Sequence, residues 1–225
     1  MKKLILAACF FAFQNPVFAA DNLGKSGFNV GINTGIMSGR TSINLEAWDW
    51  NLANEGKHKM DETSPLLGFQ AGYKHFLDNG VMLGLEGDYQ KANYGVGLTD
   101  TPYSDASIAQ EIKEIYTLRA KIGKMINNDT LAYVTGGYAH TVGDVRLKDG
   151  DYHDFSTATD VNSQGLVIGL GLERSITENI SVKGEYLHLK TTGNAHTYLD
   201  LEKESFYAKT VFGADLLKIG INYNF

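Results

Sequence analysis

The sequence predicts an all-β chain in which eight antiparallel strands wind up-and-down and close into a transmembrane β-barrel. Three observations carry this expectation. The last ten residues set Leu217, Ile219, Ile221, Tyr223 and Phe225 on one face and Lys218, Gly220, Asn222 and Asn224 on the other. That period of two suits a tilted strand with hydrocarbon on one side and a polar interior on the other. Beyond the first nineteen residues no run of about eighteen apolar residues occurs, so membrane crossing falls to strands rather than helices. The segments of alternating character are joined by connections that are long and short in turn, the arrangement of an even-stranded barrel with both termini on one side.

Lys2 and Lys3 precede an apolar stretch from Leu4 to Phe13, and Val17-Phe18-Ala19 supplies the small residues of a cleavage site. Residues 1–19 therefore read as a secretory signal peptide and 20–225 as the barrel domain. Leu6-Ala7-Ala8-Cys9 resembles a lipoprotein box, but cutting there leaves an apolar core of about five residues, short of the roughly seven to fifteen a signal needs. Cys9 is the one cysteine. Its removal with the leader excludes disulfides, thiol nucleophiles and Cys-based metal sites from the mature chain. Loss of Lys2 and Lys3 lowers the 20 basic residues to 18 against 26 acidic ones, a formal charge of −8. Such a surface repels nucleic acid.

The elements follow in order. Residues 27 to 38 and 65 to 77 open the series, with Phe28, Phe69, Tyr73 and Phe76 near their ends. In 81 to 93, Val81, Leu83, Leu85 and Tyr89 share one face, opposite Met82, Gly84, Glu86, Asp88 and Gln90. Segment 111 to 126 sets Tyr116, Leu118, Ala120 and Ile122 against Arg119, Lys121 and Gly123. Segment 130 to 143 is apolar on both faces and leaves its register open. In 163 to 176, Leu166, Ile168, Leu170 and Leu172 oppose Gly165, Gly169, Gly171 and Glu173, and in 180 to 191, Val182, Gly184 and Tyr186 oppose Lys183 and Glu185. Segment 207 to 225 closes the ring. The short connections, Asp78-Asn79-Gly80, Asn127-Asn128-Asp129 and Thr177-Glu178-Asn179, are made of turn residues. The long ones, 39 to 64, 94 to 110, 144 to 162 and 192 to 206, read as outer loops.

The charges opposite the apolar faces are Glu86, Asp88, Glu173 and Glu185 against Arg119, Lys121, Lys183 and Lys218. On the lipid face a mid-depth Arg or Lys costs about 2 to 4 kcal/mol, and inside, an unpaired charge is also costly. Four acids and four bases thus predict a lumen plugged by an ion-pair network, in a barrel only wide enough for side chains. Aromatic rings at Phe28, Phe69, Tyr73, Phe76, Tyr89, Tyr94, Tyr116, Tyr186, Tyr223 and Phe225 read as girdles at headgroup level.

These residues resemble the eight-stranded outer-membrane barrels of the opacity-protein and OmpA-type class, including small porin-like surface antigens. The likeness lies in Gly80 to Asp88, in Leu118 to Gly123 with Leu131 to Ala139, in Ile168 to Glu173 with Val182 to Leu187, and in the closing Ile219 to Phe225. The resemblance implies a surface protein of the Gram-negative outer membrane that contributes to envelope integrity and to host or ligand contact. It also implies that Tyr223 and Phe225 are the assembly signal read by the barrel assembly machinery. The expected partners are outer-membrane lipid, that machinery and a host-surface ligand, with no nucleic acid and a monomeric state. Alternatives are a small porin-like channel and a barrel enzyme acting on outer-membrane lipids.

No catalytic residue, metal ligand or cofactor is assigned. His58, His153 and His196 fall in three different outer connections and read as surface residues. His140 and His188 lie near outer strand ends, where Asp144 or Ser205 could approach, but no local motif pairs them. The carboxylates Asp149, Asp151 and Asp154 fit no EF-hand spacing and read as a solvated acidic loop. Net acidic outer connections favour cationic surfaces or peptides over anionic ones.

Overall fold

The structure is a computed structural model. It describes residues 24–46, 58–101, 104–149, 155–199 and 204–225, and among these the side chains of 24–42, 61–97, 109–144, 146, 160–193 and 211–225. The leader and its cleavage site lie outside the described residues. Eight strands, β1 (Gly27–Glu46), β2 (His58–Phe76), β3 (Val81–Thr101), β4 (Ser104–Met125), β5 (Thr130–Asp149), β6 (Phe155–Ser175), β7 (Ile180–Leu199) and β8 (Glu204–Asn224), form one closed barrel in chain order. Every pairing is antiparallel, and β1 meets β8 from Asn29↔Asn224 to Glu46↔Tyr207. Among the described residues no helix is long and apolar enough to cross a membrane, so strands carry the crossing.

Alternation fixes which face each residue takes. Phe28, Ile32, Leu67, Phe69, Leu85, Leu118, Ile122, Leu166, Ile168, Leu170, Ile219 and Phe225 stand exposed on the outer wall. Their odd-even partners are buried inside. The open register of β5 is settled by burial: Leu131, Tyr133, Thr135, Ala139 and Thr141 point inward, while Val134 and Tyr138 point out. The turn between β2 and β3 is tight, with Gly80 N–H donating to Leu77 C=O at 2.9 Å, and Gly80 takes φ +78°, a conformation that favours glycine.

The strands are longer than expected. Most of the spans 39–64, 94–110, 144–162 and 192–206 belong to strands, and only 47–57, 102–103, 150–154 and 200–203 lie outside the described residues. A strand of 20 residues tilted in a barrel rises roughly 50 Å, about twice the height of the apolar band. The outer half therefore stands clear of lipid as paired sheet. Its period-two signal is weak because water, not hydrocarbon, bathes its outer face, while the backbone ladder still forms.

Candidate functional site

The inner wall is filled in tiers. Nearest the short turns, Met82, Leu131 and Tyr133 pack with Phe76 and Met125. Phe76, expected in a girdle, is an inner residue because it shares parity with Lys74.

Above this floor lies the ion network. Each of the eight expected residues, Glu86, Asp88, Arg119, Lys121, Glu173, Lys183, Glu185 and Lys218, is buried inside the barrel. Arg119 is wholly buried, and its Nη2 lies 2.7 Å from Glu86, 2.6 Å from Asp88 and 3.3 Å from Glu185. Lys121 reaches Glu86 at 2.6 Å and Glu185 at 3.2 Å. Lys183 reaches Glu86 at 2.7 Å, and Lys218 reaches Asp88 at 3.2 Å. Glu86↔Arg119 and Glu185↔Lys218 are neighbours in register. Arg119–Asp88 and Lys121–Glu86 are diagonal neighbours on β4 and β3, and the remaining pairs cross the lumen, from β4 to β7, from β7 to β3 and from β8 to β3. Low dielectric makes each bare charge costly, and the guanidinium fork serves three carboxylates at once. Tyr133 donates to Glu185 at 2.7 Å, and its ring lies 4.5 Å from Lys121 Nζ.

Glu173 is set apart. Its partner is Lys74 at 2.9 Å, with Ser181 and Asn222 also donating to it. Lys74 was not in the expected set, although its parity opposite Tyr73 and Phe69 marked it as inward. The described interior thus holds five bases against four acids.

The outer tier is mostly apolar, with Thr41, Ser64, Gln110, Thr141, Ser163 and Thr191 buried among its hydrocarbon. Met37, Leu66, Tyr94, Ile112, Ile115, Leu187, Leu189, Phe212 and Leu216 are buried there in one cluster. Tyr94 belongs to it, with its ring 5.3 Å from Phe212 and its hydroxyl 3.4 Å from Thr41, and so is not a girdle residue. The lumen is therefore filled above the ions by a packed tier in which hydrocarbon predominates over hydroxyl and amide groups, a feature absent from the expected ion-filled interior.

On the outer wall, Phe69, Tyr89, Tyr116 and His140 form a row of rings across β2 to β5, with centroids 5.1, 5.1 and 6.1 Å apart. Glu114 accepts from the Tyr116 hydroxyl at 2.6 Å and from Tyr89 at 3.3 Å. A bulge in β4 at Lys113 sends its Nζ to Asp144 at 2.5 Å, and Arg146 binds the other carboxylate oxygen at 3.0 Å. Burial works to raise the Asp144 carboxyl, but the Lys113 and Arg146 hydrogen bonds outweigh it and hold it below the ordinary range. The bond to Asp144 raises Lys113.

Among the described side chains the histidines do not converge. His140 lies tilted at 45° beside the Tyr116 ring, His75 lies 3.2 Å from Ser26, and His188 Nδ1 lies 2.8 Å from Asp215, which also accepts from Tyr186 at 2.6 Å. Asp144 is engaged by cations rather than by either rim histidine. The side chains of His58, His196 and Ser205, all of His153, and Asp151 and Asp154 lie outside the described residues. Among the described residues no group of three His, Cys, Asp or Glu side chains could hold a metal ion.

The model of the outer membrane protein beta-barrel domain family matches residues 5–225. The 31 kDa outer-membrane immunogenic protein of Brucella melitensis is 27% identical over 248 aligned positions covering 100% of both chains. Among solved structures, the outer membrane protease OmpT from Escherichia coli aligns with a TM-score of 0.55 at 13% identity, covering 94% of this chain and 99% of its own. The outer membrane protein OprG from Pseudomonas aeruginosa aligns with a TM-score of 0.52 at 15% identity, covering 89% and 97%. At those identities the likeness is one of fold.

Proposed function

The chain belongs to the outer membrane protein beta-barrel domain family and resides in the outer membrane; from that premise we propose that it is a non-enzymatic, monomeric surface protein. Its sealed barrel is a rigid post that contributes to envelope integrity and carries four strand-built projections for contact with a host or ligand surface. The observation that carries this reading is the filled lumen beneath tall outer sheet: with ions tied below and hydrocarbon packed above, the part left to act is the outer wall. Residues 1–19 direct export, and Tyr223 with Phe225 present the terminal signal to the assembly machinery. Phe225 is 74% exposed, as a residue read by a partner must be.

Two other readings have less support. A porin-like channel needs a continuous wet path, and the packed, mostly apolar outer tier lies across it. A barrel enzyme acting on lipids needs a nucleophile against a histidine that a carboxylate orients; Asp215 holds His188, but the neighbouring hydroxyl of Ser38 lies on the far side of Asp215 from that ring, and Asp144 is held by Lys113 and Arg146.

The test is to replace 145–159 by a two-residue turn, keeping the Asp144↔Asp160 pair. Binding of intact cells to host cells or matrix should fall at least severalfold while unboiled protein still migrates as a compact barrel. Undiminished binding would remove the β5–β6 projection from the contact surface.

A further inference from the structure

We propose that the outer wall between β2 and β4 is a specific binding site for one lipid molecule whose head carries both a phosphate and an ammonium. Below the ring row, Ala71 and Gly87 stand opposite each other in register, and there the row of large outward side chains is interrupted. The gap is a groove of about 520 Å³ lined by Phe69, Ala71, Gly87, Tyr89 and Tyr116. It lies on the outward wall on the short-turn side of the ring row. A Cβ added at Gly87 would meet nothing closer than 3.9 Å, so the space there is open rather than filled by protein.

Hydrocarbon already surrounds such a wall, so burial of apolar area gives no preference; what distinguishes this place is shape and the polar pair above it. In lipid, packing into a complementary notch between small residues replaces the hydrophobic drive. Directly above the rings, Lys91 and Glu114 face each other across β3 and β4. Lys91 makes no ion pair among the described residues, and Lys113 beside Glu114 is committed to Asp144. The Glu114 carboxylate is held in place by two tyrosine hydroxyls, each of which leaves a lone pair on its oxygen. A phosphate on Lys91 and an ammonium on Glu114 would satisfy both charges at an interface where screening is poorer than in water. A purely anionic head would instead meet the Glu114 carboxylate. A second copy of the chain is a poorer occupant, because two convex cylinders touching at one notch fall well short of the roughly 1,200 to 2,000 Å² of a stable interface.

The test uses the full-length protein in detergent, with palmitoyl-oleoyl phosphatidylethanolamine and phosphatidylglycerol as probes and native mass spectrometry as readout. The protein should hold one phosphatidylethanolamine about tenfold more tightly than phosphatidylglycerol, a difference of modest free energy. Gly87→Leu, which fills the groove, should abolish that binding. Gly184→Leu, on the outer wall with nothing within 4 Å of an added Cβ, should leave it intact, and both variants should keep compact migration when unboiled. Glu114→Gln should erase the preference between heads, whereas Lys91→Gln should weaken both lipids severalfold and keep the preference, since both heads carry the phosphate. Equal lipid retention by the parent, Gly87→Leu and Gly184→Leu overturns the site. Equal affinity for the two heads overturns the assignment of the polar pair. A dimer lost on Gly87→Leu overturns lipid as the occupant.

Discussion

Arg119 shows how much one side chain can hold. Its guanidinium touches Glu86, Asp88 and Glu185 and donates from Nε to Thr117 at 3.1 Å, with no exposed surface. Removing it leaves three buried carboxylates to their lysine partners alone, and breaking a buried pair by deleting one partner costs about 3 to 5 kcal/mol. Arg119→Leu should therefore lower stability by about that much, and Arg119→Lys by less, since a point charge cannot fork. Denaturant midpoints of detergent-purified protein decide this; an unchanged midpoint for Arg119→Leu contradicts the account. Asp144, outside the lipid, behaves differently. Its carboxyl lies below its ordinary value, so the stability it gives is present above the unfolded value and is lost as pH falls through the folded one. Protease nicking of the outer β4–β5 wall should accelerate as pH drops below about 4, and Asp144→Asn should nick faster at neutral pH with a flatter acid response. A parallel pH profile in both proteins counts against the Lys113–Asp144–Arg146 clasp.

The seam between β1 and β8 shows what an element owes to partners far along the chain. A slip of one residue would turn every side chain to the wrong face, but a slip of two keeps parity and must be opposed by specific contacts. Asn222 accepts from Gln70 at 2.6 Å and donates to Glu173 at 3.1 Å; Asn224 accepts from Lys74 at 2.9 Å and donates to Ser181 at 3.0 Å. Gly31 fits here because a Cβ would come within 2.3 Å of Asn222 Oδ1. In the parent, cysteines at Thr34 and Ile219, which face each other, should cross-link, and cysteines at Thr34 and Ile221 should not. Joint replacement of Asn222 and Asn224 by leucine should add the second product; its absence would show that the backbone ladder alone fixes the closure. Alternation made the strands, turns and eight inward charges readable from the sequence wherever one face meets lipid. Tyr94 shares parity with Asp88 and Gln90, so its inward position was also encoded but was masked by the expectation of girdle tyrosines. The Lys113 bulge was not: β4 points odd residues inward at Thr117 and Arg119 and even ones at Ile112 and Gln110, and no period reveals where an extra residue is inserted. The outer sheet was hidden for a related reason, because in water neither face needs to be apolar.

Taken together, the tiers make the barrel a stoppered post rather than a tube. Planar-bilayer recordings of the parent should be silent. Shaving the stopper with Phe212→Ala, Leu189→Ala and Leu216→Ala leaves the ion tier in place and should give at most brief, small openings. Steady conductance from the parent would refute the seal. The height of the sheet has a further consequence. Ser38, Asp215 and His188 sit side by side on β1, β8 and β7, yet they are scattered along the chain. An antibody footprint laid across that wall spans several strands at once, so a linear peptide cut from the sequence carries only one thread of the epitope.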